Sequence, residues 1–258
     1  MAITEILFRF TLGSIQSLIG VRDSFYLFLA WIWWWLAYPL KHKGHKLCSM
    51  QNNAKNLHKI PINIAFVISE TISRDDLARL VCWSFSSNIH HVTLYNFQGE
   101  LDSLLPSLKT AVNELYHKLF GLSAEPVKYH TLSEEEQCDD VYLTASGFSY
   151  VVHIVSIYHA HQRITRTAQD VCESVAKQRL RSSDIDKTLL EKMFTDYFNM
   201  PNPDLVIVYG DVSSLLGYPP WQLKTTEILM VPTHHKTDYM SFYDCLERYA
   251  NCSQRFGK

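Results

Sequence analysis

Residues 62–69 read INIAFVIS and residues 204–209 read DLVIVY. Apart from Asp204 neither run carries a charge, and both are rich in Ile and Val. A strand with one wet face alternates apolar and polar residues, whereas unbroken runs of this length fit strands covered on both faces. Working outward, Val92–Phe97, Tyr150–Tyr158 and Glu227–Val231 give three more strand signals. Helical patterns fill the gaps. Ser73 with Asp76 three residues on opens a helix in capping-box fashion, and Leu77, Leu80, Val81 and Phe85 supply its buried stripe. Further helices are predicted over about Ser107–Leu119, stopping at Gly121, over Arg163–Arg181 and over Ser183–Phe198. Glu134–Asp140 reads as an acidic, solvated loop. A last helix, Asp238–Cys252, aligns Tyr239, Phe242, Tyr243, Leu246, Tyr249 and Ala250 on one stripe, which predicts docking onto the domain. Buried strands alternating with helices give an α/β fold with a parallel sheet flanked by helices. No internal repeat occurs.

Composition sets the outer limits. The chain has 258 residues, 47% hydrophobic and 19% charged, which excludes a disordered polypeptide and supports one full core plus a terminal extension. A net charge of −2 argues against nucleic-acid binding. Gly is only 9 residues and never clusters, so a P-loop or dinucleotide fingerprint is excluded. The cysteines Cys48, Cys82, Cys138, Cys172, Cys245 and Cys252 never reach CxxC spacing and read as reduced thiols.

The first 59 residues read as a membrane anchor and basic linker. Ser24–Leu40 (SFYLFLAWIWWWLAYPL) is seventeen residues without a charge, at the lower limit for a bilayer span. Trp31, Trp33, Trp34 and Trp35 lie within it, and indole favours the headgroup boundary. Ile3, Ile6, Leu7 and Phe10 add an amphipathic pattern upstream. Lys41, Lys43, Lys46, Lys55 and Lys59 follow with no acid among them, which places that flank and the rest of the chain on the cytosolic side. A cleaved signal peptide fits less well, because Glu5 sits in the start and bulky aromatics close the run. Single span or interfacial hairpin stays open.

The order of these pieces resembles the cis-prenyltransferases, and more closely the Nogo-B receptor family, the accessory subunit of eukaryotic dehydrodolichyl diphosphate synthase. The likeness covers about residues 60–258. It is carried by Thr167–Cys172 (TAQDVC), by Pro201–Ile228 (PNPDLVIVYGDVSSLLGYPPWQLKTTEI) and by the terminal Gln254–Lys258 (QRFGK). It implies a cis-prenyltransferase-like domain over 60–252, a C-terminal tail over 253–258 and attachment to the endoplasmic reticulum membrane.

The departures from the resemblance matter most. Catalytic relatives end the first strand in Asp-Gly-Asn-x-Arg, whose Asp serves the metal and the diphosphate leaving group. Here Ser69 stands at the Asp, Glu70 at the Gly and Thr71 at the Asn. A hydroxyl brings no charge to Mg²⁺. After Pro203-Asp204-Leu205 the relatives carry Arg-x-x-Gly-Glu-x-Arg and then Trp-Gln. This chain keeps Trp221-Gln222 but has Val208 and Ser214 for the two Arg, Asp211 for the Gly and Val212 for the Glu. Several charge-assisted donors to a diphosphate, about 1.5–3 kcal/mol each, are thereby lost. The resemblance then implies that no residue of this chain is catalytic and that it binds no metal itself. Instead the family's terminal Arg-x-Gly, matched by Arg255, Phe256 and Gly257, enters the active site of a catalytic partner subunit. Arg255 and the Gly257 amide would bind isopentenyl diphosphate there, beside the partner's Mg²⁺.

The implied reaction elongates farnesyl diphosphate with isopentenyl diphosphate into dehydrodolichyl diphosphate, the precursor for dolichol synthesis and protein glycosylation. A self-sufficient homodimeric synthase is the first rival, opposed by Ser69, Val208 and Ser214. A membrane receptor or scaffold without a role in the reaction is the second. Other chemistry finds little footing. His90-His91, His159-x-His161 and His234-His235 lack partners in a known ligand pattern. Asp170 and Glu173 read as a solvated helix face.

Overall fold

The computed structural model describes residues 47–122, 124–131, 150–198 and 200–253. The predicted anchor segment 24–40, the acidic loop 134–140, and Arg255 and Gly257 lie outside them. Six strands, β1 (Asn63–Ile68), β2 (His91–Asn96), β3 (Lys128–Thr131), β4 (Val151–Ser156), β5 (Leu205–Tyr209) and β6 (Glu227–Val231), form one sheet in the order β3-β4-β2-β1-β5-β6. All five pairings are parallel. The helices are α1 (Leu47–Lys55), α2 (Arg74–Ser86), α3 (Glu100–Phe120), α4 (Ile157–Ala176), α5 (Lys187–Phe198) and α6 (Tyr239–Asn251). Among the described residues no helix is long and apolar enough to cross a membrane.

The unbroken runs are buried on both faces, as their composition demands. Every residue of β1, β4 and β5 is buried. On one face Ile64, Phe66, Ile68, Leu94, Ile154 and Ile207 pack against Leu77, Leu80, Val81 and Phe85 of α2, against α3 and against Phe242 and Leu246 of α6. On the other, Ala65, Val67, Tyr95, Val155, Val206 and Val208 pack against Phe194, Met200 and Tyr218. Trp221 stacks on Phe194 at 4.8 Å, and Gln222 beside it is buried.

Several boundaries differ from the sequence reading. α3 starts at Glu100 rather than Ser107, with Pro106 inside it. Asn96 explains the early start, since its side-chain oxygen accepts the Glu100 N–H (3.2 Å) and Gly99 takes the left-handed turn (φ 73°) between them. Ser73 does cap α2, but its hydroxyl donates to the Asp76 carboxylate (2.7 Å) and makes no backbone cap bond. β4 stops at Ser156 and α4 begins at once, six residues before Arg163 and ending at Ala176 rather than Arg181. β3, not foreseen, is a half-exposed edge of four residues. α1 lies in the stretch read as linker; Met50 and Ala54 are buried, and Tyr239 and Tyr243 of α6 donate to the carbonyls of Met50 (3.3 Å) and Asn53 (3.2 Å).

Candidate functional site

Ligand chemistry in parallel α/β sheets gathers at the carboxyl ends of the strands. β1 and β5 end side by side, and both ends are closed. The amide and the hydroxyl of Ser69 both donate to the Tyr209 carbonyl, at 2.9 and 2.8 Å. Ser69 therefore turns back onto its neighbour strand, with its donors already used. Gly210 follows with φ 120°, and a Cβ placed there would stand 2.1 Å from the Ser69 oxygen. Only glycine suits both demands. Val208 is buried in the apolar layer with Tyr95 and Tyr218, a poor setting for a guanidinium. Val212 and Ser214 are exposed, and the Ser214 hydroxyl accepts the Leu216 N–H at 3.2 Å to close a local turn. Ser69 and Gly210 thus meet in the structure, while Val208, Val212 and Ser214 share no cluster with them.

Beside Ser69, the Glu70 carboxylate is fully engaged. It accepts the His234 backbone N–H (2.7 Å), the His234 ring Nδ1–H (2.6 Å) and the Thr233 hydroxyl (2.9 Å). On the far side of the buried His234 ring, Nε2 accepts the Ser73 N–H at 2.9 Å. Burial pushes the Glu70 pKa up, but the three donors outweigh it and leave the carboxyl below its ordinary value. Burial lowers the His234 pKa more than Glu70 raises it, so the imidazole is neutral and the contact is a charge-assisted hydrogen bond. The result is a clasp joining the β1–α2 turn to the β6–α6 turn.

Glu70, His234 and His235 lie close enough to suggest a metal centre. The hydrogen bonds argue otherwise. One His234 nitrogen spends its proton on Glu70 and the other spends its lone pair on Ser73, so a cation would have to break both. Mg²⁺ wants oxygen donors, and this cluster offers one carboxylate beside two imidazoles. The cluster does not fit a resident Mg²⁺.

The opposite, amino edge of the sheet is a structural pin. Asp204 accepts the backbone N–H groups of Ile62 (2.7 Å) and Asn63 (3.3 Å), fixing the start of β1 against β5. The other chemistry-bearing residues are dispersed. Asp170 pairs with Arg166 and Glu173 with Lys177 along the outside of α4. His90 stacks on Tyr150 (5.5 Å) and His91 approaches His153 (Nδ1 to Nε2, 3.2 Å). The cysteines at 48, 82, 172, 245 and 252 are free thiols.

Comparison with known proteins fits this architecture. The family model described as "Putative undecaprenyl diphosphate synthase" matches residues 128–257. The mouse protein named dehydrodolichyl diphosphate synthase complex subunit Nus1 is 30% identical over 217 residues, 83% of this chain and 71% of its own length. The chain belongs to the cis-prenyltransferase superfamily, in the family of these complex subunits. A Schizosaccharomyces pombe subunit of the same name is 27% identical over 268 residues, 98% of both chains. Lavandulyl diphosphate synthase from Lavandula x intermedia shares the fold, with a TM-score of 0.56, 16% identity and coverage of 77% of this chain and 99% of that one.

Within a cis-prenyltransferase fold, then, the carboxyl edge of this chain is a sutured site. The sequence reading does not reach the suture: it sets Glu70 at the family's Gly and finds no ligand partner for His234-His235. The available signal was the pair of polar clusters, Glu70-Thr71 and Thr233–His235, each directly after a strand on the same sheet.

Proposed function

We propose that the chain is the accessory, non-catalytic subunit of a heteromeric cis-prenyltransferase. In that complex a catalytic partner elongates farnesyl diphosphate with isopentenyl diphosphate to dehydrodolichyl diphosphate. The closure of β1 on β5 by Ser69 and Gly210 carries this reading: the position where a relative needs a free carboxylate holds a hydroxyl already bonded to Tyr209. Mg²⁺ belongs with the diphosphates in the partner, since the Glu70–His234–His235 cluster lacks the oxygen donors it takes.

Where the tail starts supports action outside this subunit. α6 ends at Asn251, and the Cys252 thiol donates to Glu227, the first residue of β6 (3.1 Å). The tail therefore departs from the amino edge of the sheet. Arg255 is three residues on, so its Cα stays within about 11 Å of that of Cys252. The chain's own carboxyl edge is a strand length away, about 17–20 Å. Arg255 and the Gly257 amide are instead directed to isopentenyl diphosphate in the partner's pocket, where a fork of N–H donors and an unshielded main chain suit an anion. The basic flank Lys41–Lys59 and the apolar segment 24–40 fit a chain held at the endoplasmic reticulum membrane with this domain in the cytosol.

The test is co-purification with a catalytic cis-prenyltransferase, followed by isopentenyl diphosphate incorporation. The chain alone is expected to be inactive and the complex active, and Arg255→Ala is expected to abolish turnover while the heteromer still assembles. Robust activity of the isolated chain would refute the reading, and unchanged turnover in Arg255→Ala would favour a scaffold.

A further inference from the structure

The last described residues before the tail are held by three contacts. Lys59, just ahead of β1, donates from Nζ to the Cys252 carbonyl at 3.0 Å and lies 4.3 Å from the centre of the Tyr249 ring. The Cys252 thiol donates to the Glu227 carboxylate at 3.1 Å. Cys252 itself has left the helix for an extended conformation (φ −74°, ψ 123°). Its carbonyl and its side chain are thus gripped from two sides, by a residue four before β1 and by the first residue of β6, at the root of the tail. All three residues are half-buried, outside both apolar layers.

We propose that Lys59 and Glu227 are positioning residues that aim the C-terminal tail, an inference that rests on the reading of Arg255 given above. The lever is short. Arg255 follows Cys252 by three residues, so a swing of about 20° at Cys252 displaces it by about 4 Å, enough to lose a charge-assisted hydrogen bond. Without Lys59 the Cys252 backbone samples other directions, and the tail must be ordered anew on each encounter with isopentenyl diphosphate. The fold is untouched, because α6 keeps its buried stripe of Phe242, Leu246 and Tyr249. The effect should therefore fall on substrate capture more than on the bond-making step.

The experiment uses the full chain assembled with its catalytic partner and compares Lys59→Met, Lys59→Arg and Glu227→Gln with Arg255→Ala. Lys59→Met is expected to raise the KM for isopentenyl diphosphate by about five- to thirtyfold, the factor for freeing one backbone residue. Its kcat should stay within about twofold of the parent, with assembly and Tm unchanged. Lys59→Arg, which keeps the donor, should recover most of the loss, and Glu227→Gln should raise KM less. If Arg255→Ala abolishes turnover but KM in Lys59→Met stays within twofold, the aiming role is wrong while the tail's role stands. A lowered Tm and equal loss in Lys59→Met and Lys59→Arg would also overturn it, by making the contact merely structural. If Arg255→Ala has no effect, the functional reading falls and this inference with it.

Discussion

Ser69 and Gly210 occupy one small volume, and each restricts what the other can be. With φ at 120° and a Ser69 oxygen 2.1 Å from where a Cβ would sit, Gly210→Ala should cost at least about 2 kcal/mol in urea denaturation. Ser69→Ala alone should cost under about 1 kcal/mol, since the Ser69 amide still donates to Tyr209. Combining the two should recover part of the Gly210→Ala loss, because the overlap is relieved while the positive φ persists. Ser69→Asp is the sharper experiment. It restores the residue type of catalytic relatives, yet its carboxylate would face the Tyr209 carbonyl with no hydrogen to share. The variant should be destabilised by about 1–3 kcal/mol and show no turnover on its own. Recovered autonomous activity would mean that the lost acid was the chain's sole deficiency. The replacement at Ser69 was legible in the sequence because a motif position is local. The contact with Gly210 was not, because 141 residues separate the partners and nothing in either segment announces the other.

β2, β3 and β4 share a polar ladder on one face of the sheet. His153, fully buried, lies between His91 (3.2 Å) and His130 (3.5 Å), while Thr93 beside it donates to Asn63 (3.2 Å). Burial pulls His91 down to about 4, with His90 adding to the effect, and holds His153 well below its ordinary value, helped by His91 and His130. His130 is lowered by burial too. The unfolded chain takes up these protons near pH 6.5, whereas in the folded chain His91 resists until about pH 4, and His153 and His130 are lowered with it. The unfolded state thus binds more protons in that window, and stability must fall as the pH is lowered through it, while remaining flat above. Tm should drop by roughly 4–8 °C between pH 7 and pH 5, for a loss of about 2 kcal/mol. Glu70 and Glu191 are both held below the ordinary carboxylate value, Glu70 by its clasp and Glu191 by its bond to Lys224. The drop between pH 7 and pH 5 therefore belongs to the histidines, with His90 and His234, also lowered by burial, adding to the ladder's share. His153→Leu should flatten the profile, and an unchanged slope would show that the ladder is not its source. At this scale the strands were legible from their unbroken apolar runs, and α6 from its stripe. The starts of α3 and α4 were not. A proline normally marks a helix's first turn, and only the Asn96 side chain, closing onto Glu100, moves the start six residues ahead of it. Pro106→Ala should therefore raise the urea midpoint, by supplying the N–H the helix lacks.

The fold as a whole begins earlier than composition suggests, and truncation makes that measurable. Lysines dominate residues 41–59, and charge reads as linker; burial reads otherwise from Leu47 onward. Met50 and Ala54 are each 3% exposed, and two tyrosine hydroxyls of α6 bond to α1 carbonyls. Removing residues 1–46 should leave the domain's urea midpoint unchanged and, if the segment at 24–40 is the anchor, shift the protein from the membrane pellet to the supernatant. Removing residues 1–59 should produce the same shift in fractionation but cost about 2–5 kcal/mol, because a buried Met and its packing are lost together. The longer truncation also deletes Lys59, so the root of the tail loosens and activity of the assembled complex should fall further than stability alone explains. Equal midpoints for the two truncations would mean that α1 contributes nothing to the domain. A first truncation that stays with the membrane would mean that the attachment lies in the domain itself. The two measurements are independent because the residues that read as membrane-seeking and those that hold α6 occupy separate stretches of the chain.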